Sequence, residues 1–254
     1  VTQSAPPVVQ IEISRPTNGE REAAEYYRLA RQVGYTGLQL KSMQYSDWVE
    51  EPERLCRAVS DGPAVTGVVL QCGLDDAGQE RVRAVTRFCR AVGARRIVFC
   101  HDFPRAQTSD DDRRRFARIL SHLGEEAAEF GIRISLHHHV GQPVMRRRDF
   151  DGFFEAVTEG CVGLTLDTAH LALAGIDDFG EIALTFAQLI DNVHLKDVAG
   201  DRFRLLGEGT LKFEPLVEAL QDWSPVWCVD EESGAPLTSG ATQSFAAVSR
   251  LLHL

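Results

Sequence analysis

The sequence predicts a closed (β/α)8 barrel. Three observations carry this: eight β-type runs alternate with amphipathic stretches, successive runs begin roughly 30 residues apart, which is about one βα unit, and ionisable side chains gather where the later runs end. The β-type runs fall at residues 8–14, 37–41, 64–71, 96–100, 132–138, 162–166, 192–195 and 226–229. Amphipathic segments at 20–33, 79–92, 111–130, 149–159, 178–189 and 215–222 read as helices between them. Gly34, Gly93 and Gly131 follow the first, third and fourth helices, where a left-handed cap suits glycine, and a strand starts directly after each. The competing architecture, a doubly wound open sheet, would carry a Gly-rich turn after its first strand. The segment Arg15-Pro16-Thr17-Asn18-Gly19 lacks that pattern.

With 254 residues, 44% of them hydrophobic, the chain can bury one large core, and no linker divides residues 1–254, so one domain is expected. The net charge of -10 and the lack of a long basic run argue against nucleic acid as a partner. Arg113 to Arg115 and Arg146 to Arg148 are short clusters suited to solvated helix faces, the second also close enough to a strand end to reach an anion. Only three lysines occur, and two of them, Lys41 and Lys196, sit at strand ends. The six cysteines form no Cys-x-x-Cys pair and mostly lie in apolar surroundings, which fits a reducing cytoplasm. Residues 1–7 show no signal-peptide pattern and no apolar run approaches a membrane span, so a cytoplasmic protein with no membrane contact is expected. A homo-oligomer is compatible with the sequence.

Four strand ends carry the candidate chemistry: His137-His138-His139, Asp167-Thr168-Ala169-His170, His194-Leu195-Lys196-Asp197 and Asp230-Glu231-Glu232. Residues two apart in a strand share a face, which groups Ser135 with His137 and His139, Thr165 with Asp167, Asn192 with His194 and Lys196, and Val229 with Glu231. Any one of these groups alone would pass for polar residues meeting solvent; four in succession point to a metal site at the C-terminal end of the barrel. Asp167, His194 and Glu231, on neighbouring strands, can converge on one divalent ion, with His137 as the fourth corner and His139 as its alternative. Mixed imidazole and carboxylate ligation suits Mn²⁺, Co²⁺, Zn²⁺ or Fe²⁺ better than Mg²⁺. His138 should face the opposite layer as a structural residue. Lys196 could stabilise an anionic intermediate, and His170, one helical turn beyond Asp167, could orient that carboxylate or a substrate. His101, at the end of the fourth strand, and Gln39 and Lys41, alternating along the second, are candidate substrate contacts. His122 and His253 read as surface residues.

At these residues the chain resembles the xylose isomerase-like TIM-barrel superfamily of sugar isomerases, epimerases, inosose dehydratases and endonuclease IV-type enzymes, over nearly its whole length. Leu166-Asp167-Thr168-Ala169-His170-Leu171-Ala172-Leu173-Ala174-Gly175 is similar to the family's D-T-G-H-x-x-x-A-G segment, with Ala169 in place of glycine, and implies Asp167 as ligand. Val193-His194-Leu195-Lys196-Asp197 resembles its H-x-K-D strand and implies His194. Trp227-Cys228-Val229-Asp230-Glu231 resembles W-x-V-x-E, which implies Glu231 as both ligand and acid/base; a one-residue shift would hand the role to Asp230 or Glu232. The fifth strand departs from the E-N-H of the isomerases and epimerases. His137-His138-His139-Val140-Gly141 resembles the H-H-H-x-G of inosose dehydratases instead.

The first functional expectation is a metal-dependent isomerase or epimerase of a small sugar or keto-cyclitol, with one divalent ion, His137, Asp167, His194 and Glu231 as ligands, and Glu231, His139 and Lys196 in catalysis. An inosose-type dehydratase using the same site is the alternative. An endonuclease IV-like DNA-repair enzyme is opposed by the acidic charge, and a barrel that binds a polyol without turnover is the remaining reading. The expected partner is a small polyhydroxylated substrate.

Overall fold

The computed structural model describes residues 9–254, so the expectations for residues 1–7 and for a strand starting at Val8 lie outside the described residues. Strands β1 (Ile11–Ser14), β2 (Gly37–Leu40), β3 (Ala64–Cys72), β4 (Arg96–His101), β5 (Arg133–His137), β6 (Val162–Asp167) and β7 (Ile190–Leu195) follow one another around a barrel. Two short strands, β8 (Asp197–Ala199) and β9 (Arg202–Arg204), then form an antiparallel hairpin, and β10 (Val226–Asp230) closes the barrel between β7 and β1. Every barrel pairing is parallel, as a crossover through a helix requires. The fold is a (β/α)8 barrel.

The outer layer holds α1 (Gly19–Val33), α2 (Pro52–Ala58), α3 (Asp76–Val92), α4 (Asp110–Ala128), α5 (Arg147–Phe154), α6 (Thr168–Leu173), α7 (Phe179–Phe186), α8 (Glu214–Ala219) and α9 (Leu237–Leu251). Their ends follow local rules. Ser109 and Asp112 form a reciprocal capping box at the start of α4, and the Asp75 carboxylate accepts from Gly78 N–H (2.9 Å) at the start of α3. Gly34, Gly93 and Gly131 all adopt positive φ, as their positions predict. The helix expected from Asp149 begins at Arg147, because the Asp149 carboxylate turns back to the Arg146 N–H (2.9 Å). Arg113 differs from the expectation of a solvated cluster: it is buried and its guanidinium faces Asp149 at 3.6 Å, whereas Arg114 and Arg115 are exposed. No helix among the described residues is long and apolar enough to cross a membrane.

Alternation along the strands builds two unlike layers. Ile13, Leu38, Val68, Ile97, Phe99, Leu136, Leu164, Leu166, Val193, Leu195 and Val229 pack outward under the helices, all buried, and form the hydrophobic core. The inward face is polar: Glu12, Gln39, Ser135, Thr165 and Asn192 are buried as completely. Buried polar groups cost stability unless hydrogen-bonded, and here they are. Gln39 Nε2 donates to Glu12 (2.7 Å) and to Asn192 Oδ1 (2.8 Å), Asn192 Nδ2 donates to Thr165 Oγ1 (3.2 Å), and Ser135 Oγ donates to Asp191 (2.6 Å). This polar plug forms the floor of the site.

Candidate metal centre and cavity

At the C-terminal ends of β5, β6, β7 and β10 the inward positions are His137, Asp167, His194 and Asp230. Asp167 is held at three points. Its N–H donates to His138 Nε2 (2.9 Å), its Oδ1 accepts from His170 N–H (2.9 Å) as the cap of α6, and its Oδ2 is left facing His137 Nε2 (3.3 Å), Lys196 Nζ (3.8 Å) and His194 Nδ1 (4.0 Å). Burial opposes its ionisation, but His170, Lys196 and His137 outweigh that and hold the carboxyl well below its usual range. Two sets of possible ligand atoms share this carboxylate: His137, Asp167 and His170, and Asp167, His194 and Asp230, each gathered within 4.8 Å.

The tautomer of His194 follows from the floor network. Glu12 fixes the Gln39 amide by accepting from Nε2, so Gln39 Oε1, 2.9 Å from His194 Nε2, must accept. His194 therefore carries its proton on Nε2 and keeps the lone pair on Nδ1, which has no hydrogen-bond partner, is buried, and lies 3.7 Å from Asp230 Oδ2. Burial drives its pKa well below the ordinary imidazole value. A neutral nitrogen with an open lone pair between two carboxylates is the donor set a divalent ion of mixed ligation needs. The buried Nδ1 of His170 is likewise unpartnered.

Asp230 occupies the corner expected of Glu231, which is the principal correction to the sequence reading. The register pairs Ile11 with Trp227 and Ile13 with Val229, so the face shared by Trp227, Val229 and Glu231 is the helix-facing one. Glu231 is buried there, ion-paired with Arg15 and accepting from Ser233 N–H (2.9 Å), while Arg15 also donates to Ala235 O (2.8 Å). Gly240 of α9 lies so close that a Cβ would come within 2.7 Å of both Arg15 Nη1 and Glu231 Oε2. Asp230, by contrast, faces Lys41 Nζ with Oδ1 (2.6 Å) and Lys196 Nζ with Oδ2 (2.5 Å), and Glu232 bridges the same two ammoniums at 2.8 and 2.7 Å. Burial would lower both lysine pKa values, but Asp230 and its neighbours raise them, so both stay charged. The Lys196 ammonium also lies 4.7 Å from the ring centre of Phe203 on β9.

Above this wall opens a cavity of about 440 Å³ lined by Lys41, Gln71, Arg81, Cys100, Asp102, His137, His139, His170, Lys196, Asp230 and Glu232, together with Ser42, Met43 and Ser46. That volume suits a small-molecule ligand. His139 donates Nδ1–H to Val140 O (2.8 Å), which leaves Nε2 as its basic atom, and its ring centre lies 3.7 Å from that of His170. Burial lowers both imidazoles, His170 to about 3.

Two candidate substrate contacts are not brought to the cavity. His101 shares the outward face of β4 with Phe99 and sits among Phe99, Phe116 and Phe153, because Cys100, one residue earlier, takes the inward position. Gln39 is fully buried in the floor and acts on His194 rather than on a ligand. His138 packs against Phe150 in the outer layer, as alternation predicts. Asp230 and Glu232, which the sequence offered only as the outcome of a one-residue shift, line the cavity, and so do Cys100, Arg81 and Asp102, to which the sequence reading gave no role.

Residues 27–242 match the family of xylose isomerase-like TIM barrels, well over half of the chain. The chain belongs to that family. Its curated relatives include the rhizopine catabolism protein MocC of Rhizobium meliloti, 35% identical over 154 residues that make up 56% of this chain and 47% of MocC. An inosose dehydratase of Lacticaseibacillus casei is 32% identical over 133 residues, 45% of this chain and 44% of the relative. The matched segments thus span about half the length of these relatives. Among solved structures, an IOLI protein with a binding zinc atom superposes with a TM-score of 0.74 at 15% identity, covering 96% of this chain and 98% of that one, a likeness of fold.

Proposed function

We propose that this protein is a divalent-metal-dependent enzyme that removes a proton beside the carbonyl of a small polyhydroxylated ketone, a keto-cyclitol in the first instance, and then expels the β-hydroxyl as water. The observation that carries this reading is the chemistry of the cavity wall. The fifth strand and the residues just after it present His137 and His139 where a carboxylate pair for two-sided proton transfer would need a second acid, while two ammoniums, the buried Lys196 and the partly buried Lys41, stand ready for negative charge. The sequence placed an isomerase or epimerase first; this geometry, with the 32% identity to an inosose dehydratase, favours the dehydratase instead.

His137, Asp167, His194 and Asp230 would hold the ion, whose positive charge, when bound, lowers the cost of negative charge on the substrate oxygen. The protein's own groups do the rest. Lys196, kept protonated by Asp230 and Glu232, donates to the enolate oxygen as charge develops. His139, neutral and free at Nε2, accepts the proton from carbon, and the imidazolium so formed returns it to the departing hydroxyl, so that one water leaves and the imidazole is regenerated. Contact with His170 limits the positions His139 can take during this exchange. The test is to supply metal-loaded protein with inososes and ketohexoses and weigh the products. Loss of one water from an inosose supports the proposal; conversion at unchanged mass would select epimerisation or isomerisation and overturn it.

A further inference from the structure

Gln39 engages the far nitrogen of His194, and the barrel offers a counterpart for His137 from a different residue type. Cys100 stands on the pore face of β4, buried, with Sγ 3.1 Å from His137 Nδ1, while Nε2 of the same ring lies 3.3 Å from Asp167 Oδ2. We propose that Cys100 is a positioning residue of the metal centre: its sulfur accepts the Nδ1–H of His137 and so leaves the Nε2 lone pair open toward the ion. The inference rests on the reading of His137 as a ligand.

A neutral imidazole has one proton for two nitrogens. With the proton on Nε2 the ring donates to Asp167 and cannot ligate; with it on Nδ1 the opposite lone pair is free. Nδ1 of His137 faces the Cys100 sulfur, its partner among the described residues. Without that acceptor the proton would be buried and unpaired, which favours the other tautomer. Metal-binding histidines regularly have this far N–H engaged by a carboxylate, a carbonyl or water. Here a sulfur stands in that position, flanked by Val98 on the inward face and by Phe99 and His101 on the outward one.

The competing explanation is that the thiol fills space, as buried cysteines commonly do. Two substitutions separate acceptor from volume. Cys100→Val keeps most of the bulk and removes the acceptor, whereas Cys100→Ser keeps an acceptor and loses bulk; Cys100→Ala is the second acceptor-free variant should valine fail to fold. Metal-free proteins are titrated calorimetrically with Zn²⁺ and with Co²⁺, whose absorption bands report the ligand set, and melted without metal as a check on folding. Removing the acceptor should weaken ion binding roughly ten- to hundredfold and alter the Co²⁺ bands, while serine stays within a few-fold of wild type. Valine binding like wild type, or serine as weak as valine, would overturn the inference and leave the proposed function standing. A wild-type protein that binds neither ion would overturn both.

Discussion

Exchanging the roles of two adjacent acids tests the site most sharply. Asp230 faces the two lysines and the open nitrogen of His194, whereas Glu231 faces Arg15 beneath α9. Glu231→Gln keeps the shape and the acceptor for Ser233 but turns a buried ion pair into a guanidinium against an amide. Breaking a buried pair costs about 3–5 kcal/mol, and the lower end applies because Arg15 retains its bond to Ala235 O. At roughly 2–4 °C per kcal/mol for a domain of this size, the melt should fall by about 6–12 °C. Metal affinity of the folded variant should be unchanged within a few-fold. Asp230→Asn should instead weaken ion binding by at least the roughly ten- to hundredfold that loss of even an outer partner produces. Calorimetric titration with Zn²⁺ at a temperature where both variants are folded, paired with thermal melts, reads both quantities. A Glu231→Gln protein that melts normally and has lost its metal would refute the strand register on which the site is built.

Two further outcomes follow from the histidines. His138→Ala removes the acceptor of the Asp167 N–H and leaves a void beside Phe150, so it should cost about 3 kcal/mol of stability while the metal still binds at saturation; a normal melt with the metal lost would contradict the outward placement. His101 is held by burial at a pKa of about 3, against 6.5 ordinarily. Because the unfolded chain binds the extra proton between those values, the contribution to stability is complete above pH 6.5 and is lost as the pH falls toward 3. At about 1.4 kcal/mol per pH unit this amounts to up to about 5 kcal/mol. His101→Phe should therefore flatten the fall in stability between pH 6 and pH 4 in denaturant titrations, and curves that run parallel to wild type would reject the assignment.

The barrel was legible because each of its layers has a period of its own. Seven of the eight runs recur as strands with both ends within two residues of those expected, the first strand begins at Ile11, and glycine marks the helix ends where expected. Asp167, His194 and Lys196 were legible for a related reason: in β6 and β7 polar and aliphatic residues alternate without exception near the strand end, so the face is unambiguous. The same rule was available for two of the misplaced residues, Glu231 and His101. Leu136, Leu166 and Leu195 all lie outward, and taking Val229 and Phe99 as their equivalents turns Asp230 and Cys100 inward and Glu231 and His101 outward. Reading Val229 as a pore residue because of its spacing from Trp227 inverted the last strand. The β8–β9 hairpin was illegible for a different cause: it is organised by the Asp197 carboxylate, which accepts from Val198, Gly207 and Gly209 N–H groups, contacts too far apart in sequence to announce themselves as a pattern.

The stoichiometry of divalent metal tests the central claim most directly. Protein stripped with a chelator, reloaded with Zn²⁺ or Mn²⁺ and freed of excess should hold one ion per chain by elemental analysis, and a folded Asp167→Ala variant treated identically should hold none, because Asp167 belongs to both sets of ligand atoms. Stoichiometric metal in that variant, or its absence from the wild-type protein, would contradict the account.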